Sequence, residues 1–431
     1  MATEYLDEKL PAPVTARPEP PKRTVASRIL GVVRFFVIFY AAFFISDAVF
    51  PETGDQATAA VRKGCHGMRH KAHGMYKGFG DDDHHHRGGK HHGPDTSKWI
   101  PVSAETHFEL SPEDAKGLTI KGAHVFGGIV FETSKLSDKV VLDLDVKTNV
   151  EQNGEEVTIN YIDGKIEIDT PMTGDLKTHA SAKIQIPSNL LGTFGLPAFD
   201  VEAPRHMVDL SNLPESLEIG ELTIRLAMGF VKAGKVHTNT TQITVAKGAI
   251  RGDLKLGRES TSIDVSSGNV TVNVDGISAG ETGTLNIKLA KGDLKGSFPV
   301  FKSTTLDIAK GDLDATLYVK KAVLGEDEDV EISTKVASGD ARVTIKSIDD
   351  GAASINAAHT TISGSQELTY PASFEGTIEA RGLVGDIKLA GEGLVVERAW
   401  FGSVGKKGDA EKNMVKVKTA KGDIDVLVGK E

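Results

Sequence analysis

The sequence predicts an all-β fold: a parallel β-solenoid (β-helix-like) of roughly 20–25-residue repeats that fills the C-terminal half of the chain. Three observations predict it. A glycine-centred phrase recurs, short segments of alternating apolar and polar residues flank it, and the composition suits thin β layers. The 431 residues include 46 glycines, and 6% are aromatic. A core of Val, Ile, Leu and Ala with many turns fits stacked strands better than an aromatic-centred globule.

The recurring phrase is a glycine followed by aspartate or asparagine, which we interpret as the corner between two strands. Glycine accepts a positive φ at a corner, and Asp or Asn bonds locally to the backbone. The phrase occurs at Thr173–Leu176, Arg251–Leu254, Ser267–Val270, Lys291–Leu294, Lys310–Leu313, Ser338–Ala341, Val384–Ile387 and Lys421–Ile424. Taken with the weaker copies at Gly248 and Gly364, the marker glycines from 248 onward recur at steps of 19 to 37 residues, mostly 19 to 28.

The segments that flank the phrase alternate between apolar and polar residues, as in Thr305–Ile308 before it and Thr316–Val319 after it. Such strands turn one apolar face inward. A unit of two short strands cannot bury that face alone, so neighbouring units must stack. Stacking predicts the parallel solenoid. An antiparallel β-sandwich is the alternative, because strand–turn–strand phrases also fit hairpins.

The repeats are preceded by a less regular segment, which we interpret as a β region and cap over 99–215, ahead of a repetitive domain over 216–431. Residues 139–146, 157–162 and 165–169 have strand patterns. The proline-punctuated segment 187–214 predicts a packed loop that covers one open end or one side, since solenoids need capped ends.

The strand–(A/S)(K/S)G(D/N)–strand phrase, repeated at this step, resembles the "putative adhesin" domain family of repeat β-solenoids, most clearly over 216–431. The order of tail, anchor, polar linker and β repeat is similar to membrane-anchored proteins of filamentous fungi that carry this domain. The resemblance implies a solenoid fold and transfers no catalytic residues.

One apolar segment predicts a single transmembrane helix over Ile29–Phe50. Phe35–Ile45 is wholly apolar, and with the residues on the other side of Arg34 it approaches the roughly 20 residues that cross a bilayer. Arg34 lies near one end and can reach the headgroups. The leader of 28 residues favours an uncleaved signal anchor, although a cleaved signal peptide is the alternative.

The charges around the apolar segment predict its orientation. Basic residues precede it at Arg17, Lys22, Arg23 and Arg28, and acidic ones follow it at Asp47, Glu52 and Asp55. The positive-inside rule then places the Pro-rich, disordered tail 1–28 in the cytosol and the β domain at the cell surface or in the secretory lumen. In that orientation Asn239 and Asn269, each in a sequon, are glycosylation candidates.

Residues 51–98 form a His-rich flexible linker that holds eight of the fourteen histidines. His84, His85, His86, His91 and His92 are the candidate metal ligands, because clustered imidazoles bind copper, zinc or nickel. A polar spacer without metal is the alternative. Cys65, the single cysteine, excludes an intramolecular disulfide and offers a link to a second copy.

The composition and motifs predict a non-enzymatic protein without cofactor. The net charge of −10 argues against nucleic acid as partner. No HExxH motif or phosphate-binding loop occurs, and His206, His237 and His359 have no spaced partners. Two further ideas have simpler explanations in turn chemistry: integrin-type adhesion through Arg251-Gly252-Asp253, and calcium held by the recurring Asp residues.

Two non-enzymatic functions therefore stand: contact with glycan or cell-wall polymer or protein through the repetitive faces, and a scaffold that self-associates along the solenoid ends into homo-oligomers. Exposed aromatic residues favour the first, with Trp400, Phe401 and Phe298 as candidates. A polysaccharide-active β-helix enzyme is the third alternative and needs a non-repeating cluster of acidic or basic groups in a groove.

Overall fold

The computed structural model describes residues 96–431 except 136–137, 152–156, 173–174, 191–194, 277–282, 301, 320–329, 349–353, 400–401 and 430–431. This region forms one compact unit with its own hydrophobic core, as expected of a segment that folds by itself. Within the described residues, none of the helices has the length and apolar character needed to span a membrane. The predicted anchor at 29–50 lies outside them, as do the Pro-rich tail and the His-rich linker.

The described region consists of strands and two short 3-10 turns, at Thr96–Lys98 and Ser188–Leu190. The strands are β1 Ile100–Pro101, β2 His107–Leu110, β3 Gly117–Lys121, β4 Val125–Ser134, β5 Val140–Thr148, β6 Thr158–Ile162, β7 Lys165–Asp169, β8 Thr178–Pro187, β9 Leu196–Asp209, β10 Glu218–Ala233, β11 His237–Lys255, β12 Ser260–Ser267, β13 Val270–Asp275, β14 Thr284–Leu289, β15 Leu294–Val300, β16 Ser303–Lys310, β17 Leu313–Val319, β18 Val330–Ser338, β19 Ala341–Ile348, β20 Ile355–Ser363, β21 Gln366–Tyr370, β22 Gly376–Val384, β23 Ile387–Gly391, β24 Val395–Ala399, β25 Gly402–Lys407, β26 Met414–Lys421 and β27 Ile424–Val428.

These strands form two layers, which we call A and B. Layer A runs, neighbour to neighbour, through β6, β7, β3, the first halves of β9, β10 and β11, then β12, β14, β16, β18, β20, β26, β22, β25 and β24. Layer B runs through β1 and β2, β5, β8, β4, the second halves of β9, β10 and β11, then β13, β15, β17, β19, β21, β27 and β23.

From β9 onward each coil contributes one strand to each layer, and successive coils pair in parallel. The predicted all-β, solenoid-like fold is therefore confirmed, and the antiparallel sandwich is wrong for the repeats. Antiparallel pairs occur nearer the two ends, for example between β5 and β8 and between β22 and β25.

The core fills the space between the layers because alternate residues of each strand point inward. In β17, Leu313, Ala315, Leu317 and Val319 are all buried, while the residues between them are partly exposed. The same alternation recurs in β12, β13, β14 and β26. The small aromatic content of the sequence is thus matched by a core of aliphatic side chains.

A column of glycines makes the corner between the layers. The corner glycines have φ between +127° and +156°, a region that favours glycine, and an added Cβ on each would overlap a backbone carbonyl oxygen of the neighbouring coil. In spatial order the column is Gly229, Gly248, Gly268, Gly292, Gly311, Gly339, Gly364, Gly422 and Gly385. All eight marker glycines predicted from the repeats lie in it.

The residue after each corner glycine builds a second column. Asn269 Oδ1 accepts the backbone N–H of Asp293 (3.1 Å), and Asp293 Oδ1 accepts that of Asp312 (3.0 Å). The same bond links Asp312 to Asp340 and Asp340 to Ser365. These Asn and Asp side-chain oxygens therefore stabilise the corners through the backbone, as turn chemistry predicts.

Two copies of the phrase differ from the prediction. Arg251-Gly252-Asp253 lies inside β11, four residues past the true corner at Gly248, and its Asp253 accepts a hydrogen bond from Asn273 Nδ2 (3.1 Å). The copy at Thr173–Leu176 lies between β7 and β8, and residues 173–174 are outside the described region.

The last coil in the sequence is not the last coil in space. β26 pairs with β20 on one side and β22 on the other, and β27 lies between β21 and β23 in the same way. The terminal coil, β22 and β23, and the hairpin of β24 and β25 therefore come earlier in the sequence than β26 and β27. The strands β26 and β27 lie between that terminal coil and the coil of β20 and β21.

The segment predicted as a packed loop contains one of the longest strands. β9 spans 196–209, pairs with β10 along one edge and with β3 and β4 along the other, and so lies inside both layers. Pro197 and Pro204 argued against a strand because they lack an N–H. The pairing with β10 skips both positions. The strands predicted at 139–146, 157–162 and 165–169 are confirmed as β5, β6 and β7.

A buried polar network crosses the core near its C-terminal end. His359 is fully buried, with Nδ1 2.8 Å from Thr334 Oγ1 and Nε2 2.8 Å from the hydroxyl of Tyr370. Burial lowers the pKa of His359 to about 4 and raises the pKa of Tyr370. The neutral imidazole donates one of these bonds and accepts the other, so both partners are satisfied.

The buried His359 predicts loss of stability in mild acid. Its pKa is lower in the folded than in the unfolded state, so the unfolded chain binds more protons between pH 6.5 and about 4. The stabilisation that comes from the neutral, buried His359 is fully present above pH 6.5. It is lost as the pH falls, and the free energy of unfolding is lower by about 3 kcal/mol at pH 4. We expect His359→Gln to remove this part of the pH dependence, measured as the unfolding free energy from pH 7 to 4. Parallel curves for the two proteins contradict the assignment.

Candidate functional site

The outer face of layer A carries a block of uncharged polar side chains, which we call the polar stripe. It consists of Thr240 and Gln242 on β11, Ser260 and Ser262 on β12, Thr284 and Asn286 on β14, Ser303 and Thr305 on β16, and Ser333 on β18. All are partly exposed. They face outward because the residues between them, such as Ile263 and Leu306, are buried in the core.

The register of the strands arranges the stripe as two rows along the stack. Thr240, Ser260, Thr284 and Ser303 stand directly beside one another in successive coils. Neighbouring strands lie about 4.8 Å apart, and residues two apart on one strand about 6.7 Å. The stripe is therefore a regular two-dimensional array of hydroxyl and amide groups.

The stripe contains hydrogen-bonding capacity that its own residues do not use. Asn286, at its centre, has a buried Oδ1 atom without a hydrogen-bond partner among the described residues. Buried polar atoms without partners are rare in folded proteins and call for an explanation. Because this oxygen is shielded from solvent, the Asn286 side chain must turn outward before the oxygen can accept a hydrogen bond from a ligand.

A third row beside the stripe alternates in charge. Asp264, Lys288, Asp307 and Lys335 occupy matching positions in successive coils. Burial raises the pKa of the Asp307 carboxyl, against the opposing effect of Lys335 and Lys288. The four formal charges cancel, so the part of this row that lies beside the stripe is balanced in charge.

The outer face of layer B is different, because charged pairs span much of it. Lys295 contacts Asp314 (3.4 Å), Arg342 contacts Glu367 (2.9 Å) and Lys388 contacts Asp425 (3.3 Å). The adjoining row runs through Asn273, Ser297, Thr316, Thr344 and Thr369. At one end its members bond to each other, with Ser297 Oγ donating to Asn273 Oδ1 (2.9 Å). Layer B therefore provides a matched comparison face.

The residues predicted for metal binding, His84–His86, His91 and His92, lie outside the described region. Within that region no group of three or more His, Cys, Asp or Glu side chains has an arrangement that could hold a metal ion. Asn239 lies on β11 and is partly exposed, and Asn269 lies at a corner, where its Oδ1 belongs to the second column, formed by the residues that follow the corner glycines. Their glycosylation stays a prediction.

The aromatic and histidine candidates are placed differently from one another. Phe298 is fully buried, so its prediction as an exposed glycan-binding aromatic is wrong; Trp400 and Phe401 lie outside the described residues. His206 is also buried: its Nε2 donates to the carbonyl of Ala180 (2.9 Å), and burial lowers its pKa to about 4. His237 is partly exposed on β11.

A Gly-Ile-Ser-Ala-Gly segment at 276–280 fits the GxSxG pattern of serine hydrolases. That pattern has catalytic meaning at a sharp strand-to-helix turn. Here it connects β13 to β14, and residues 277–282 lie outside the described region. The next described element after the segment is thus a strand and not the helix that this pattern requires.

Sequence reasoning did not find the polar stripe, although a signal exists. The segments Thr240–Val245, Ser260–Val265, Thr284–Leu289 and Ser303–Ile308 share a pattern: a hydroxyl residue, any residue, a small polar residue or Gln, an aliphatic, a polar and an aliphatic residue. Aligning the strands before the corners, rather than the corners alone, would have shown it.

Comparison with known proteins gives little further identification. No protein-family model matches the chain, and no curated protein does. Among solved structures, the chain is similar to a protein described as a putative cell adhesion protein from Clostridium sporogenes. The two are 10% identical, the match covers 76% of this chain and 99% of the other, and the TM-score is 0.14. A TM-score this low carries no functional argument, so the assignment below rests on this chain's own residues.

Proposed function

We propose that this chain is a non-enzymatic, membrane-displayed binding protein whose polar stripe contacts an uncharged glycan or cell-wall polymer. The observation that carries the proposal is the regular array of hydroxyl and amide groups on layer A. A polymer with repeating hydroxyl groups can match such an array at many points. Many weak contacts along one chain add up by multivalency.

The surroundings of the stripe support an uncharged ligand. The neighbouring row is balanced in charge, and the protein as a whole has a net charge of −10, which disfavours polyanions. The non-enzymatic part of the proposal is supported by the histidines, because His206 and His359 are enclosed in the core and bonded there. The resemblance to the adhesin family agrees with this function.

Binding to insoluble polysaccharides tests the proposal. The segment 96–431 is incubated with chitin, β-glucan, cellulose and mannan, and the bound fraction is measured against concentration. We expect the variant Ser262→Ala/Asn286→Ala/Thr305→Ala to bind at least about tenfold more weakly, because three hydrogen bonds are worth roughly 0.5–1.5 kcal/mol each.

The matched control changes layer B instead, as Thr316→Ala/Thr344→Ala/Thr369→Ala, and should bind like the unaltered protein. Both variants should unfold at similar temperatures, since the altered side chains lie outside the core. Absence of binding to every polymer, or equal losses for the two variants, sinks the proposal.

The display part of the proposal rests on residues 29–50, with the N-terminus in the cytosol. In this orientation the β domain and its two sequons face the cell exterior or the secretory lumen. Protease added to intact cells should remove the domain, and glycosidase should shift its mobility if Asn239 or Asn269 is modified. A protected and unglycosylated domain contradicts this orientation.

A further inference from the structure

The two ends of layer A expose apolar strand edges. At the N-terminal end, β6 pairs with β7 on one side, and Tyr161 and Ile162 are 45% and 48% exposed. At the C-terminal end, β24 pairs with β25 on one side, and Val395 and Val396 are 66% and 41% exposed. In the described region neither strand has a partner along its other edge. Such edges are templates for pairing with another chain.

We propose that these edges join copies of the protein head to tail, with β24 of one copy pairing with β6 of the next. The strand directions agree with this contact. β7 runs in the direction of the parallel coils, and β6 runs opposite to it. At the other end β25 runs opposite to β22, and β24 runs opposite to β25, so β24 has the direction of the coils again. In a copy stacked in the same orientation, β24 and β6 therefore meet as antiparallel strands, which pair well.

The side chains also match. Val396 pairs with Gly405, which pairs with the buried Ile378, so Val396 lies on the inner side of layer A. Tyr161 pairs with the buried Ile166 and lies on the same side. With Val396 opposite Tyr161 of a second copy, Val395 stands opposite Ile162. Apolar side chains then meet on both faces, and such cross-strand pairs stabilise a sheet.

The ends of the two layers are stepped in complementary ways. Beyond the coil of β22 and β23, layer A continues through β25 and β24, while layer B ends at β23. At the other end layer B is the longer one, by one strand. In layer A, three strands lie beyond β9: β3, β7 and β6. In layer B, four positions lie beyond β9: β4, β8, β5 and the pair β1 and β2. The steps fit to within one strand spacing, about 4.8 Å.

A head-to-tail contact uses two different surfaces and does not close on itself, so it generates open filaments. This surface is separate from the polar stripe, and filaments would align the stripes of successive copies. Longer arrays would then bind a polymer more tightly through multivalency. The association itself does not depend on the polymer-binding proposal.

Sedimentation of the full-length protein tests the inference, in non-ionic detergent and with reductant to exclude a Cys65 disulfide. We expect the mean mass to rise steadily with concentration, beyond a dimer. Ile162→Lys and Val395→Lys should each remain monomeric alone, because each has one blocked end. Mixed together, they should form a 1:1 dimer that grows no further, since one intact end of each kind remains. Thr316→Lys, on the outer face of layer B, is the control and should assemble normally.

Any of three results overturns the inference. The wild-type protein stays monomeric at all concentrations, or either edge variant alone forms assemblies as large as those of the wild type. In the third, the mixture of the two variants stays monomeric although both keep the wild-type circular dichroism and melting temperature. A dimer formed by Val395→Lys alone would point to pairing of β6 with itself and exclude the head-to-tail contact. Alanine changes in the polar stripe leave assembly intact, so failure of polymer binding is distinguishable from failure of association.

Discussion

Deletion of residues 414–431 should also unfold residues 376–413 and not merely shorten the solenoid by one coil. These residues hold β26 and β27, which supply both layers with the strand between the coils on either side. They bury Val415, Val417 and Val426, and each such side chain contributes roughly 1.5–3 kcal/mol. Without them, the coil of β22 and β23 has no parallel neighbour in either layer.

Limited proteolysis with mass spectrometry measures the result. The coils up to β20 and β21 should stay protected, because these two strands keep β18 and β19 as parallel neighbours and solenoid stability is mostly a sum of nearest-neighbour terms. Residues 376–413 should become cleavable. Deletion of residues 430–431 alone is the control and should change nothing. If residues 376–413 stay protected after the long deletion, these residues must already stack directly on the coil of β20 and β21, and the observed insertion of β26 and β27 would be contradicted.

The second large effect is expected from Gly339→Ala at the corner column. Gly339 has φ +136°, and an added Cβ would overlap the carbonyl oxygen of Gly311 in the neighbouring coil. Neither backbone can move without breaking the parallel ladder on both sides. Backbone strain alone costs about 1–3 kcal/mol, and the overlap adds to it, so we expect a loss of more than about 3 kcal/mol in the unfolding free energy.

Two adjacent glycines provide the control. An added Cβ on Gly127 would overlap the carbonyl of Ala180, whereas none of the described atoms lies within 4 Å of one on Gly128. Chemical denaturation should therefore show a large loss for Gly127→Ala and a change within about 0.5 kcal/mol for Gly128→Ala. Similar losses at Gly128 and Gly339 would show that flexibility, and not the close approach of coils, explains these glycines.

The repeated coils could be predicted from the sequence because each uses the same local chemistry. A glycine that must adopt a positive φ, an Asx residue that bonds to the backbone and an alternating strand recur together, as at Gly311 and Asp312. These requirements are local, so each copy can be recognised by itself. The weak copies at Gly248 and Gly364 were identified correctly because their spacing kept the step.

The features that depend on distant partners could not be predicted. The prolines of β9 fit because the pairing with β10 skips them, which only the register shows. The insertion of β26 and β27 between earlier coils leaves no local trace, since their residues resemble those of any other coil. Phe298 sits in a strand that looks half-exposed, yet it is fully buried. The polar stripe requires knowledge of which strands are neighbours.

The most direct test of the central claim, that the polar stripe is the binding face, is to block one face at a time. In a Cys65→Ser background, Ser262→Cys on layer A and Thr316→Cys on layer B are each labelled with a bulky maleimide, and polymer binding is measured before and after labelling. The account predicts that the label at position 262 abolishes binding and that the label at position 316 leaves it unchanged. Equal binding by the two labelled proteins would contradict it.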